Sequence, residues 1–360
     1  MGDLRVGTLA TGVLAEVASD GTVRRGDVRV GWRVLAGTRW VEPAADPTVR
    51  HGRVGAAPVA ETAVRVPGGD VVQRVYALGD HGGLVVVDVE NASPEAVAVA
   101  FTCTGAAPED VCAFSRPPAA TEADGARTFP VPHRTSVRVV LAAADVVGRL
   151  DVRALPDAAA AARAWEAVLD RGMRTELPEP LQTEIDAARC DLLLAPRSAA
   201  AFVGLEDWGF DREAHAMWER LGSRARRDAR RRRVERGLLG EIRDALVRES
   251  AGGVDVLPGF RSEWLGAPVA VHDVPLLGGG TLAFAVRWHG PRPALLWDAP
   301  ATEGVRLRLR APLLDPAWEA ATPAGETLLA EPPTGLLAMG AGGDAAPREG
   351  VHLDDPGSFS

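Results

Sequence analysis

The sequence predicts an α+β protein of several parts: an N-terminal antiparallel β-sandwich, a short central helical region and a small C-terminal antiparallel β domain. Three observations carry this. Short apolar, β-branched runs separated by turn residues fill residues 1–150. Helical periodicity with capping residues replaces them over 156–252. Strand-like patterning returns over 254–331, centred on TLAFAVRWHGPRPALLWDAP, Thr281 to Pro300, which reads as two buried strands around a turn. Residues 332–360 are rich in Gly, Ala and Pro without periodicity and are expected to be a disordered tail.

The N-terminal strands are expected at Val28 to Leu35, Thr38 to Val41, Ala63 to Val66, Val71 to Leu78, Leu84 to Val89, Ala96 to Thr102 and Ser136 to Leu141. Asp20-Gly21, the Pro67 to Asp70 stretch, Gly82-Gly83 and the Asn91 to Pro94 stretch are the turns between them. No long helix interrupts the strands, which excludes a Rossmann arrangement and favours a sandwich. Residues 105–128 read as a loop leaving the sheet.

Asp157 is a predicted N-cap for an Ala-rich helix ending near Gly172. A second helix, starting after Pro180 and stopped by Pro196, has Leu181, Ile185, Ala188 and Leu192 on one face. AAAFVGLEDWG reads as a third helix with Gly209 as its C′ residue, and Asp211 caps a fourth that buries Ala214, Met217, Trp218 and Leu221. Arg224 to Glu249 can continue as helix until Gly252-Gly253. Strands follow at Pro268 to Val274, Leu282 to Trp288, Ala294 to Trp297, Val305 to Arg310 and Glu326 to Ala330.

Composition narrows the function classes. The net charge of -9 argues against a general nucleic-acid binder. All 40 basic residues are Arg, so an individual Arg is weak evidence of bidentate recognition. Cys103, Cys112 and Cys190 have no zinc spacing, and with no secretory leader they are expected to be reduced thiols of a cytoplasmic protein. No apolar run is long enough to span a membrane. No cofactor fingerprint occurs: Gly278-Gly279-Gly280 precedes a strand and cannot cradle a phosphate at a helix N-terminus. No metal-ligand cluster and no nucleophile elbow are visible.

The densest acidic cluster beside an aromatic is Leu205 to Glu213. Glycoside hydrolysis needs two carboxylates across a sugar, and Glu206 or Asp207 with Glu263 are the candidates. Equally, acids at helix ends serve as caps and dipole partners. Trp208, Trp264, Trp288, His289 and Trp297 are the candidate ligand contacts; core packing is the competing role for the tryptophans, and local turn bonding for His289. The arginine-rich run Arg224 to Arg236 reads as a solvated helix face, or one packed against acids elsewhere.

Trp208-Gly209-Phe210-Asp211, followed by Glu213-Ala214 and Trp218, resembles the helix junctions of glucoamylase-like and trehalase-like glycoside hydrolases. The stretches VVQRVYALGDHGGLVVVDVENASPEAVAVAFT and AFAVRWHGPRPALLW are similar to the N-terminal sandwich and the small β domain of that superfamily. The resemblance implies a sandwich before an (α/α)6 toroid. Twelve helices of ~11–12 residues with connections of ~2–8 residues need roughly 200 residues, and the stretch 157–250 is less than half of that. The chain is therefore expected to be a truncated relative without a full catalytic toroid. It would bind a glycan or assemble with a glycan-acting partner. An active hydrolase with a short site, or a ligand-free scaffold that forms a homo-oligomer, are the alternatives. No nucleic-acid or membrane partner is expected.

Overall fold

A computed structural model describes residues 2–105, 111–122, 125–232, 234–250, 253–277, 279–299 and 308–333. The protein is a mixed α+β structure with antiparallel sheets at both ends and a helical middle. Seven α-helices occur among the described residues.

The N-terminal part holds two antiparallel sheets. The first runs, in spatial order, Leu4–Thr8, Gly12–Val17, Val23–Arg25, Val28–Ala36, Val97–Thr104, Arg127–Val131 and Ala120–Thr121, with Arg39–Val41 paired to Val28–Ala36. The second runs Cys112–Phe114, Ser136–Leu141, Leu84–Asn91, Gly69–Leu78, Ala60–Val66 and Arg50–Arg53. Val30, Val34, Val99 and Phe101 of the first sheet share one buried cluster with Val64, Val75, Val87 and Val139 of the second. The stretch 105–128, expected to be a loop, supplies an edge strand to each sheet. Its pairs are only two and three residues long, too short to leave a periodic signal in the sequence. The first 25 residues hold three further strands that turn signals alone did not announce.

The second sheet is apolar on both faces, as its near-continuous runs VVQRVYAL and LVVVDV require. Residues of one parity (Val71, Val75, Val85, Val87) face the first sheet. Those of the other parity (Tyr76, Leu84, Val86, Val140) join a second cluster with Ala161, Trp165 and Leu169 of the Ala158–Leu169 helix. A polar node fixes this junction. Arg138 is bidentate to Asp88 at 2.6 and 2.8 Å and donates to the carbonyls of Leu155 and Val152 at 2.7 and 3.2 Å. The Tyr76 hydroxyl lies 2.9 Å from Asp88 Oδ2 and 2.8 Å from the Pro156 carbonyl. Burial, reinforced by Asp88, raises the Tyr76 pKa, so the phenol keeps its proton and donates.

Inside the N-terminal part a polar row crosses three strands: His51 opposite Thr62, and Thr62 opposite Gln73. His51 Nδ1 is 2.9 Å from Thr62 Oγ1. Burial lowers the His51 pKa, with Asp20 and Asp3 opposing. The folded state therefore takes up a proton less readily than the unfolded chain, whose histidine titrates near ~6.5. Stability is expected to be level above that pH and to decline as pH falls through it. Urea midpoints measured between neutral and mildly acid pH check this: His51→Gln should lose part of the decline, and an identical pH profile in the variant would remove His51 as its source.

The helices are Ala144–Val147, Ala158–Leu169, Leu181–Leu193, Ala199–Asp207, Asp211–Arg220, Ser223–Arg230 and Gly237–Leu246. Asp157 caps the second as predicted, accepting from Ala160 N at 2.8 Å. The expected continuous helix over Arg224 to Glu249 is broken. Arg232 and Gly237 take positive φ of 48° and 53°, and Val247–Ser250 becomes a strand paired with Gly253–Val256.

The C-terminal part has a five-stranded antiparallel sheet, in the order Arg174–Glu176, Val269–Pro275, Thr281–His289, Arg292–Asp298 and Ala324–Leu328. Its first strand comes from between two helices, so the helical and C-terminal parts are woven together. A four-stranded sheet, in the order Val247–Ser250, Gly253–Val256, Leu309–Ala311 and Asp315–Ala320, contains one parallel pair, Gly253–Val256 with Leu309–Ala311, where the sequence predicts an antiparallel domain. The chain between them passes through the five-stranded sheet, which supplies the long crossover a parallel pair needs. Of the expected strand Val305 to Arg310, residues 305–307 lie outside the described residues, as do residues 334–360 of the expected tail.

Candidate functional site

The Ala199–Asp207 helix ends in a Schellman turn. Gly209 has φ +71°, Phe210 N donates to Leu205 O at 2.9 Å, and Gly209 N donates to Glu206 O at 3.1 Å. The left-handed position and a close approach to Met173 N explain Gly209. This turn sends Trp208 inward and leaves Glu206, Asp207 and Asp211 at the wall of a cleft of ≈ 400 Å³. Asp211 is the first helical residue rather than the cap, and its side chain makes no capping bond. The turn itself satisfies the preceding helix end and places Phe210 at the cap position.

The cleft is lined by five carboxylates (Glu206, Asp207, Asp211, Asp244, Glu249) and four arginines (Arg232, Arg236, Arg243, Arg248), with Leu276 and Leu277 at one side. Asp207 is buried, 8% exposed, and held by Arg232 at 2.5 Å and Arg236 at 3.4 Å. Arg236 is also bidentate to Asp244. Arg243 bridges Glu249 at 3.3 Å and the carbonyls of Val247 and Pro275. Glu249 in turn accepts from Leu277 N at 2.8 Å. Most of the wall is thus internally neutralised. Among the described residues, Asp211 and Arg248 make no ion pair.

Glu206 stands half-buried beside Asp207 at the same helix end. Burial raises its carboxyl pKa above the usual range; Arg232, 3.8 Å away, opposes this, and Asp207 and Asp211 reinforce it. Glu206, Asp211, Arg232 and Leu277 also line a second groove of ≈ 540 Å³, continued by Phe202, Ala214, His215, Trp218 and Arg230. There half-buried Trp218 packs on Phe202 at 4.9 Å, with Arg226 and Arg230 each 5.3 Å from its ring.

The residues singled out in the sequence are dispersed. Glu206 and Asp207 line the cleft. Glu263 is exposed on the one-turn helix Ser262–Trp264 and does not line it. Trp208 is fully buried, its indole N–H donating to Leu239 O at 3.2 Å and its ring 5.5 Å from the Arg189 guanidinium, so it offers no stacking face. Trp264 is buried edge-to-face with Phe260 at 5.8 Å, and Phe260 is 6.3 Å from half-buried Trp288. Trp297 is buried against Trp318 and donates to Thr322 O at 3.0 Å. His289 is exposed and sits opposite Arg292 at the end of its hairpin. None of Trp208, Trp264, Trp288 and Trp297 lines the cleft or the groove beside it.

Trp218, Asp211, Arg232 and Arg236 line the cleft or the groove without a sequence motif that marks them. The only local hint was the helical spacing of Trp218 and Leu221, which reads as core. The wall is assembled from segments 206–211, 232–249 and 275–277, whose proximity no spacing rule encodes. Among the described residues no group of three or more His, Cys, Asp or Glu side chains could hold a metal ion, and no helix is long and apolar enough to cross a membrane. The chain matches no family model, no curated protein and no solved structure.

Proposed function

We propose that the protein is a carbohydrate-associated relative of the glucoamylase-like and trehalase-like hydrolases that binds a glycan without cleaving it. In this reading the paired N-terminal sheets form the β-sandwich and the helices are a toroid remnant. The supporting observation is the groove itself: an aromatic, Trp218, stands beside Glu206, Asp211, His215, Arg230 and Arg232. A sugar presents a C–H face that packs on an indole and hydroxyls that pair with carboxylate and guanidinium groups. The carboxylate pair foreseen for hydrolysis supports binding over turnover. Asp207 is locked by two arginines, and Glu263 lies apart from the cleft.

A glycan array including α-glucans and trehalose tests the reading. Binding should appear and fall about tenfold in Trp218→Ala, as for the loss of one aromatic contact. No binding across the array would sink it. One observation favours the enzyme reading: burial in the cleft raises the Glu206 carboxyl in the direction that suits a general acid. Release of aryl alcohol from aryl glycosides, abolished in Glu206→Gln, would establish turnover in place of simple binding.

A further inference from the structure

Cys103 and Cys112 stand on opposite sheets of the N-terminal part. Cys103 is on Val97–Thr104, paired across to Val30, and Cys112 is on Cys112–Phe114, paired across to Leu141. Each cysteine has a phenylalanine two residues away on the same face of its strand: Phe101 before Cys103, and Phe114 after Cys112. The two rings meet at 6.4 Å, and both pack with Phe129, at 6.0 and 5.2 Å. Cys112–Phe114 runs parallel to Leu84–Asn91, each being antiparallel to Ser136–Leu141, and the chain turns back from Leu84–Asn91 into Val97–Thr104, so from the Phe101–Phe114 contact both strands lead to a cysteine on the same side and bring Cys103 within hydrogen-bond reach of Cys112. Both thiols belong to the inter-sheet core, Cys112 buried and Cys103 half-buried, and both are free.

We propose that Cys103 and Cys112 are a peroxide-oxidised pair that closes to an internal disulfide stapling the two sheets. Cys103 is the attacking sulfur. A hydrogen bond from the Cys112 thiol lowers its pKa against the effect of burial, and Arg127 acts in the same direction. The same hydrogen bond and burial raise the Cys112 pKa, leaving it as the resolving thiol. The Cys103 thiolate attacks one oxygen of hydrogen peroxide; the O–O bond breaks, and the hydroxide that leaves is protonated to water. The resulting sulfenic sulfur is attacked by the Cys112 sulfur. The S–S bond forms, the S–O bond breaks, and the second oxygen leaves as water with the Cys112 proton. Two thiols and one peroxide give one disulfide and two waters. Cys190 takes no part: burial pushes its thiol up to about 12, and it lies in the helical core cluster rather than between these two sheets.

The full chain treated with a small excess of hydrogen peroxide, then denatured, should titrate one free thiol in place of three. Its mass should fall by two hydrogens, and peptide mapping should join Cys103 to Cys112. Dithiothreitol should restore all three thiols. Cys112→Ser should stop at a sulfenic acid on Cys103 that dimedone traps, and Cys103→Ser should keep both remaining thiols. Retention of three thiols in the unmodified chain, a bridge to Cys190, or covalent dimers formed instead of the internal bond would each overturn the proposal.

Discussion

Trp208→Ala is expected to destabilise the fold by about 4 kcal/mol, within the range for removing a buried tryptophan. The side chain is fully buried at the meeting point of the Ala199–Asp207 helix, the Gly237–Leu246 helix and the 172–173 turn. Removal opens a cavity bounded by rigid partners: Met173 N donates to the Trp208 carbonyl at 2.8 Å, and the Schellman turn fixes the backbone. It also leaves the Leu239 carbonyl without its indole donor, and removes one of the two rings, Trp208 and Phe210, that pack beside the buried Arg189 guanidinium. Urea unfolding followed by circular dichroism measures the loss. Trp208→Phe, which keeps most of the volume, should cost about half as much. A loss below about 1 kcal/mol in the alanine variant would mean that the site collapses freely, against the packing described.

Asp88→Ala is the second large effect, at about 3 kcal/mol. The Asp88 and Arg138 side chains are 15% and 12% exposed, so the variant leaves a poorly solvated guanidinium without its bidentate carboxylate. The carbonyls of Leu155 and Val152 still accept from Arg138, which limits the loss. Because the pair is screened from solvent, the effect should change little between low and high salt, unlike that of a surface pair. The paired replacement Asp88→Leu with Arg138→Met should recover much of the stability, since it removes both charges together. A double variant as unstable as Asp88→Ala would show that the cost comes from elsewhere in the junction, such as the Tyr76 hydroxyl.

The alternation of Thr281 to Trp288 was legible because one face of that strand is buried and the other is not. The register then follows, with Phe284 opposite Trp297 and His289 opposite Arg292. Asp157 and Gly209 were legible because caps act through their own neighbours. The strand Arg174–Glu176 was not, since three residues carry no period and its pairing partner lies about 95 residues away. The break near Arg232 was hidden for a related reason: arginine is a good helix former, and the positive φ of Arg232 accompanies an ion pair to Asp207, a tertiary contact.

The same division separates the site from the elements that build it. Local chemistry dictated that Glu206, Asp207 and Asp211 stand at a helix junction and that Trp208 follows a helix end. Which of them faces solvent was a matter of packing. The Schellman turn rotates Trp208 into the core and leaves Asp211 at the cleft. The arginine run, ambiguous as a string of like charges, resolves into two roles once its partners are in place. Arg226 and Arg230 flank Trp218, while Arg232 and Arg236 neutralise Asp207. Periodicity and capping report forces that act over a few residues, so strands, helices and their ends can be read from the chain. Burial, ion pairing and pKa depend on groups brought together from distant segments, and only the folded chain decides them.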